Sequence, residues 1–504
     1  MITAATIGSF APAMMDKLLL NMEWQGPIGL DFTAKGSKDA YNLEVKIDAT
    51  ASNIKLGKVF LKGPGLPFKI SATTLVQSEG VSIRDGTVSF GEDKAVFKGF
   101  LKRDDNLSFR LKMEAERIAD TPFRRFFPRL VIVDSFEELI FSVDMNGFLL
   151  AGDSTVEMNG EFRAKRAQVS GVSIDDFEGV FLRRSDSVEF PTVKGGYAGG
   201  ELSGNGSVSG TDEREYKFDG VVERLDAEKI QSLGGAFSGK GSLVLHVSTK
   251  GIEPLTLSKN LTVSGSLIIP SGSWQVLKVS KGIFSKDTWK GLEALSGPPL
   301  DGVWKVKLGA AGDEFTDFNA SYELIGTELS LTSGSWMNPQ YVAEGMKGAI
   351  LISSAGMDRS SGSGFRDGLG NFTLNVEGVA IVPKGIAVQL IPDVTAQKRL
   401  LDPEGRLVLP IKIDGTLKSP KYQMDHVKFA NSIEDKPLEG EPEGEPAKII
   451  RQDKPVSQKT VEKGKKAPQT KPAKKAAPRG QTRKSTSSSK KKDTEDILKV
   501  IIGH

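Results

Sequence analysis

Cysteine is absent from the 504 residues, so neither a disulfide framework nor a thiolate metal site can form. Such a chain fits a reducing compartment and a bacterial periplasm equally. Histidine is nearly absent as well: only His246, His426 and His504 occur, and none sits in an H-E-x-x-H pattern or accompanies a G-x-S-x-G elbow. No window approaches the ~18 apolar residues of a transmembrane helix. The opening stretch, Met1 to Leu20, lacks the basic start and apolar run of a secretory signal. The expectation is a soluble chain, or one whose targeting segment is supplied elsewhere. Aromatic residues are sparse at 7% while glycine is plentiful at 55, a balance that suits short strands and turns better than helical bundles.

What is present is uneven in charge. Between Ala447 and Lys492, 16 basic residues face 2 acidic ones, giving +14; with a total of +3, the remainder of the chain carries −11. The basic stretch has no aromatic side chain on which a base could stack, so nucleic acid is not an expected partner. From about Ser432 the sequence is acidic and Pro/Gly-rich, then basic, with little to bury, which reads as a disordered tail over 432–492. Residues 493–504 recover an apolar stripe, Ile497, Leu498, Ile501 and Ile502, suited to docking a protein or a membrane.

Period-two alternation dominates the rest. Tyr41, Leu43, Val45 and Ile47 form one such run, and Leu107, Phe109, Leu111 and Met113 another. Leu243, Leu245 and Val247 repeat it, as do Leu267 and Ile269, then Trp304, Val306 and Leu308, then Phe372, Leu374 and Val376. In "GRLVLPIKIDGTLKSPKY" the same period picks out Leu409, Ile411 and Ile413, with Pro410 marking an edge strand and Gly415 and Pro420 the end of the sheet. One-sided strands of this kind indicate antiparallel sheet. The apolar faces can close on each other as a sandwich or barrel, or line the trough of a long curled sheet. Helical signals are few: Arg224 to Gly235 and Lys286 to Gly297, with Thr121 to Leu130 a short helix or a turn. Ser-Gly-Ser-Trp occurs twice, at Ser271 to Trp274 and Ser333 to Trp336, each after an apolar strand.

Catalytic signals are weak. "GGAFSGKG" at Gly234 to Gly241 matches a phosphate-loop spacing, but Gly241 replaces the magnesium-binding hydroxyl and a strand, not a helix, follows. Asp175 and Asp176 read more simply as a turn pair than as an acid/base dyad. Non-enzymatic function without a cofactor is the expectation.

Four stretches resemble the AsmA-like family of diderm bacteria, which includes AsmA, TamB and YhdP relatives. They are "VKGGYAGGELSGNGSVSG", "VVERLDAEKIQSLGGAFSGKGSLVLHVSTKGIEP", "NASYELIGTELSLTSGSWMNPQYVAEGMKGAILI" and the Gly405 to Tyr422 strand. The resemblance covers roughly residues 190 to 425. It implies a mostly β fold: a long curled antiparallel sheet forming an elongated apolar groove, with few short helices and a disordered C-terminal tail. It divides the chain into an N-terminal β region (1–190), an AsmA-like region (191–431) and the tail. It further implies a periplasmic, inner-membrane-associated protein whose groove, lined by Leu243, Leu245, Val247, Leu267, Ile269, Leu409, Ile411 and Ile413, binds phospholipid acyl chains. Its partners would be a membrane surface or an inner-membrane anchor protein. A structural or assembly factor for outer-membrane biogenesis is the alternative.

Overall fold

The computed structural model describes residues 22–434, except 57–59, 105–106, 127–134, 149–155, 170–171, 211–212, 231–234, 236, 253, 311, 326–327, 353–371 and 417–418. The tail from 435, with the Ile497–Ile502 stripe, lies outside the described residues.

In chain order the first strands are β1 (Met22–Gln25), β2 (Gly29–Gly36), β3 (Ala40–Asp48), β4 (Asn53–Leu56), β5 (Phe60–Lys62), β6 (Phe68–Gln77), β7 (Gly80–Phe90) and β8 (Asp93–Lys102). Then come β9 (Ser108–Ile118), β10 (Ser135–Phe148), β11 (Glu157–Val169), β12 (Val172–Arg184), β13 (Ser187–Tyr197), β14 (Gly200–Ser209), β15 (Glu215–Asp226) and β16 (Phe237–Lys250). The last are β17 (Thr262–Trp274), β18 (Glu314–Ile325), β19 (Glu328–Asn338), β20 (Tyr341–Ile352), β21 (Phe372–Val382), β22 (Leu407–Thr416) and β23 (Ser419–Met424).

Strands β1, β4 and β5 form a small sheet of their own. The other 20 form one antiparallel sheet in which each strand pairs with its neighbours in the chain. Among the described residues the terminal strands β2 and β23 each have a single partner. The protein is therefore mostly β and antiparallel, as the alternation implies. The boundary expected at 190/191 falls inside β13, which pairs on both sides.

Strand direction alternates, so every second connection returns to the same rim. The connections 49–67, 119–134, 227–236, 275–313 and 383–406 all do so, while those at 251–261 and 353–371 join the opposite strand ends. The former carry helices α1 (Asp120–Phe126), α3 (Val279–Ile283), α4 (Lys286–Ser296), α5 (Gly302–Gly309), α6 (Lys384–Leu390) and α7 (Val394–Leu400). Helix α8 (His426–Glu434) follows β23 on the same rim, while α2 (Pro254–Lys259) lies on the opposite one. Two cores result. Phe126 of α1 packs with Val88, Phe90, Ala95, Ala115 and Ile118. The larger core joins Phe284, Trp289, Leu292, Leu308, Leu390 and Leu400 to the sheet from Ile174 to Met424.

Helices α1 and α4 lie where expected. The segment from Arg224 does not: β15 continues to Asp226, and only a 3-10 turn over Ala227–Lys229 follows. A bulge at Arg224 (φ 56°) returns Leu225 to the buried side, which keeps the segment in the sheet. The run Trp304, Val306, Leu308 is helix α5 rather than a strand, because Asp301 caps it by accepting from the Val303 N–H at 2.7 Å. Asp175 and Asp176 do not form a turn: Asp176 (φ 45°) sits at a bulge inside β12. Finally, β22 is not the edge strand, since β23, which includes Pro420, pairs beyond it. The Asp425 N–H donates to the Pro410 carbonyl at 2.9 Å, so Pro410 turns its ring nitrogen to the side where β23 has just ended.

Candidate functional site

Residues directly opposite in an antiparallel pair share a face. Following the register from strand to strand traces one apolar face across the whole sheet. It runs from Phe32 to Val45, Ala72, Gly86, Phe97 and Met113. It continues through Val143, Gly160 and Phe181. Beyond β13, where Val193 occupies it, come Gly204, Gly220, Leu245, Gly265 and Tyr322. The far face carries Lys112, Glu161, Asp219 and His246, with Nδ1 of His246 2.6 Å from Asp219. His246 thus points to the polar side.

Glycine and aromatic residues interlock on the apolar face. Gly160 lies opposite Phe181 and Phe162 opposite Gly179, so each ring covers the glycine on the neighbouring strand. Gly86 and Phe97 make the same pair, as do Gly272 and Phe315. The two Ser-Gly-Ser-Trp repeats converge: Trp274 and Trp336 meet at 5.4 Å, edge to face, beside Phe315 and Phe318 of the intervening strand. The Tyr322 hydroxyl donates to the Val244 carbonyl at 3.2 Å, and burial pushes its pKa up to about 12, so the face stays uncharged there.

The face is unevenly covered. Over β8 to β17 it is buried toward the rim that carries α1 and α3 to α7, at Ala95, Ala115, Ala167, Ile174, Leu202 and Leu225. Toward the other rim it is half-buried, at Leu101, Phe109, Met158, Phe181, Val208 and Val247. Leu243, Leu245 and Val247 are half-buried on β16 and lie opposite Leu267, Gly265 and Val263. Leu267 and Ile269 are buried. Leu409, Ile411 and Ile413 are 0%, 3% and 8% exposed, in the same core as Leu390 and Leu400. The structure therefore places all eight residues on one face, three half-open and five covered.

A depression of about 1100 Å³ lies elsewhere, over β8 to β13 on the charged side, where Glu114, Glu161, Arg163, Glu178 and Lys194 line it. Its mixed charges include no cluster of three or more metal-ligating side chains among the described residues. The phosphate-loop-like stretch is strand from Phe237 onward, so no helix N-terminus faces it. Lys62 is an unforeseen buried charge: its Nζ donates to the carbonyls of Thr50 and Ser52 at 2.6 and 2.5 Å, and burial lowers its pKa.

Sequence reading missed the glycine–aromatic pairs. Their signal is a glycine and a phenylalanine two residues apart, as in "GEF" (Gly160 to Phe162), "GVF" (Gly179 to Phe181) and "FDG" (Phe218 to Gly220). Comparison with family models, with curated proteins and with solved structures returned no match.

Proposed function

We propose that this protein is a periplasmic, inner-membrane-associated and non-enzymatic carrier that binds phospholipid acyl chains. It assists their passage between inner and outer membranes along the apolar face of its sheet, curled into an elongated groove. The observation that supports this reading is the continuity of that face across 20 strands, half-buried along one rim from β8 to β17. Each CH₂ removed from water contributes ~0.8 kcal/mol, so an acyl chain partitions onto such a face readily. Glycines under flat rings keep the surface shallow and free of deep wells, which favours movement over retention.

Native mass spectrometry of the full-length protein should detect bound phospholipid. Leu245→Asp should remove that lipid while far-UV CD keeps its β signature; unchanged lipid content in the folded variant overturns the reading. Leu245 suits the test because it is half-buried, whereas an aspartate at the covered Ile411 would strain the core.

The alternative, an assembly factor for outer-membrane biogenesis, draws support from β2. Among the described residues this strand is paired on one side only and its Phe32 is 59% exposed, an edge suited to strand addition. Under that reading the Ile497, Leu498, Ile501, Ile502 stripe docks a protein partner and purified protein carries no lipid.

A further inference from the structure

Two charged residues of the large sheet are paired in register with its apolar face, Asp93 opposite Phe90 and Arg183 opposite Met158 and Val188. Asp93 lies at the covered rim, where its carboxylate accepts from the Ala119 N–H at 3.0 Å. Arg183 stands at the half-open rim, in line with Phe181 and Gly179. Its side chain is half-buried, and no carboxylate of the described residues pairs with it. By register, the neighbouring Glu157 and Glu189 belong to the other face, and Glu157 accepts from the Asn146 amide at 3.3 Å. An arginine at an apolar position lays its stem on the surface and carries the guanidinium to the rim. There it needs water or an anion.

We propose that Arg183 receives the phosphate of a phospholipid whose acyl chains lie along β12, a proposal that rests on the lipid-binding reading above. The dimensions agree. From Arg183 to Phe177 the strand runs about 20 Å at ~3.3 Å per residue. One acyl chain spans about half of a ~30 Å hydrocarbon core. The chain lies over Phe181, Gly179 and Phe177 while the head stays at the rim. A guanidinium presents its donors in a planar fork that matches two phosphate oxygens at once. Arg184, next in the chain, adds a second positive charge at the same hairpin.

The test uses full-length protein and three probes: a fluorescent-tailed phosphatidic acid, diacylglycerol with the same tails, and inorganic phosphate. The wild type should bind the phosphatidic acid about tenfold more tightly than the diacylglycerol, the worth of one partly exposed charge-assisted contact. Arg183→Met should abolish that preference and leave diacylglycerol binding unchanged, which also reports an intact fold. Arg183→Gln should do the same with a polar side chain retained. A preference that survives both substitutions overturns the assignment of Arg183 and leaves the apolar reading standing. A wild type that binds neither lipid overturns both. Competition by millimolar inorganic phosphate alone overturns the lipid assignment, because it marks a free-anion site.

Discussion

At the scale of single residues, the apolar face is tuned by what glycine leaves out. A glycine in a strand costs roughly 0.5–1 kcal/mol of chain entropy, and a ring laid across it from the next strand returns a comparable ~0.2–1 kcal/mol. A Cβ on Gly160 would stand 2.8 Å from two Phe181 ring carbons and 2.8 Å from the Ser142 carbonyl oxygen. Gly160→Ala should therefore destabilise the protein by ~1–3 kcal/mol, as overpacking does. At Gly385 of α6 the same Cβ meets nothing within 4 Å, so Gly385→Ala should be neutral or stabilising by up to ~1 kcal/mol. Thermal melts of the two variants check the contrast; equal shifts would sink it. The faces of Leu243, Leu245 and Val247 were legible in the sequence, because side-chain alternation is a local property. The ring over each glycine was not, because it belongs to another strand and depends on register.

At the scale of elements, the helices over the C-terminal strands are short and depend on their ends. Helix α5 has 8 residues, too few to be stable alone. Its start is tied twice: Asp301 Oδ1 accepts from the Val303 N–H at 2.7 Å, and the Asp301 N–H donates to the Leu390 carbonyl at 2.9 Å. Asp301→Ala should cost about 1 kcal/mol. Hydrogen exchange should quicken over residues 302–309 and leave β21 and β22 amides unchanged; uniform quickening would show that the insert is not a separate unit. This helix was illegible because "VWKVKL" satisfies a two-residue period as well as a helical one over so short a span. The cap decides, and Asp301 reads as an ordinary turn residue until its partner is seen.

At the scale of the whole molecule, nearest-neighbour pairing makes stability nearly a sum over adjacent strands. A fragment of residues 22–209 keeps β2 through β14 and the Phe126 core. It should retain a β-type CD spectrum and melt at a lower temperature than the full chain; a random-coil spectrum would contradict a modular sheet. The antiparallel sheet type could be read from alternation and turns. The gathering of seven of the eight described α-helices on one rim could not, because it follows from alternating strand direction, which only the pairing order reveals. That pairing order bears on biogenesis. As the chain emerges N-terminus first from a ribosome or a translocation pore, every strand of the large sheet after β2 finds a partner already formed beside it. Loop closure stays cheap at each addition, and apart from the fixed β2 edge the unfinished molecule exposes one growing edge that moves forward with synthesis.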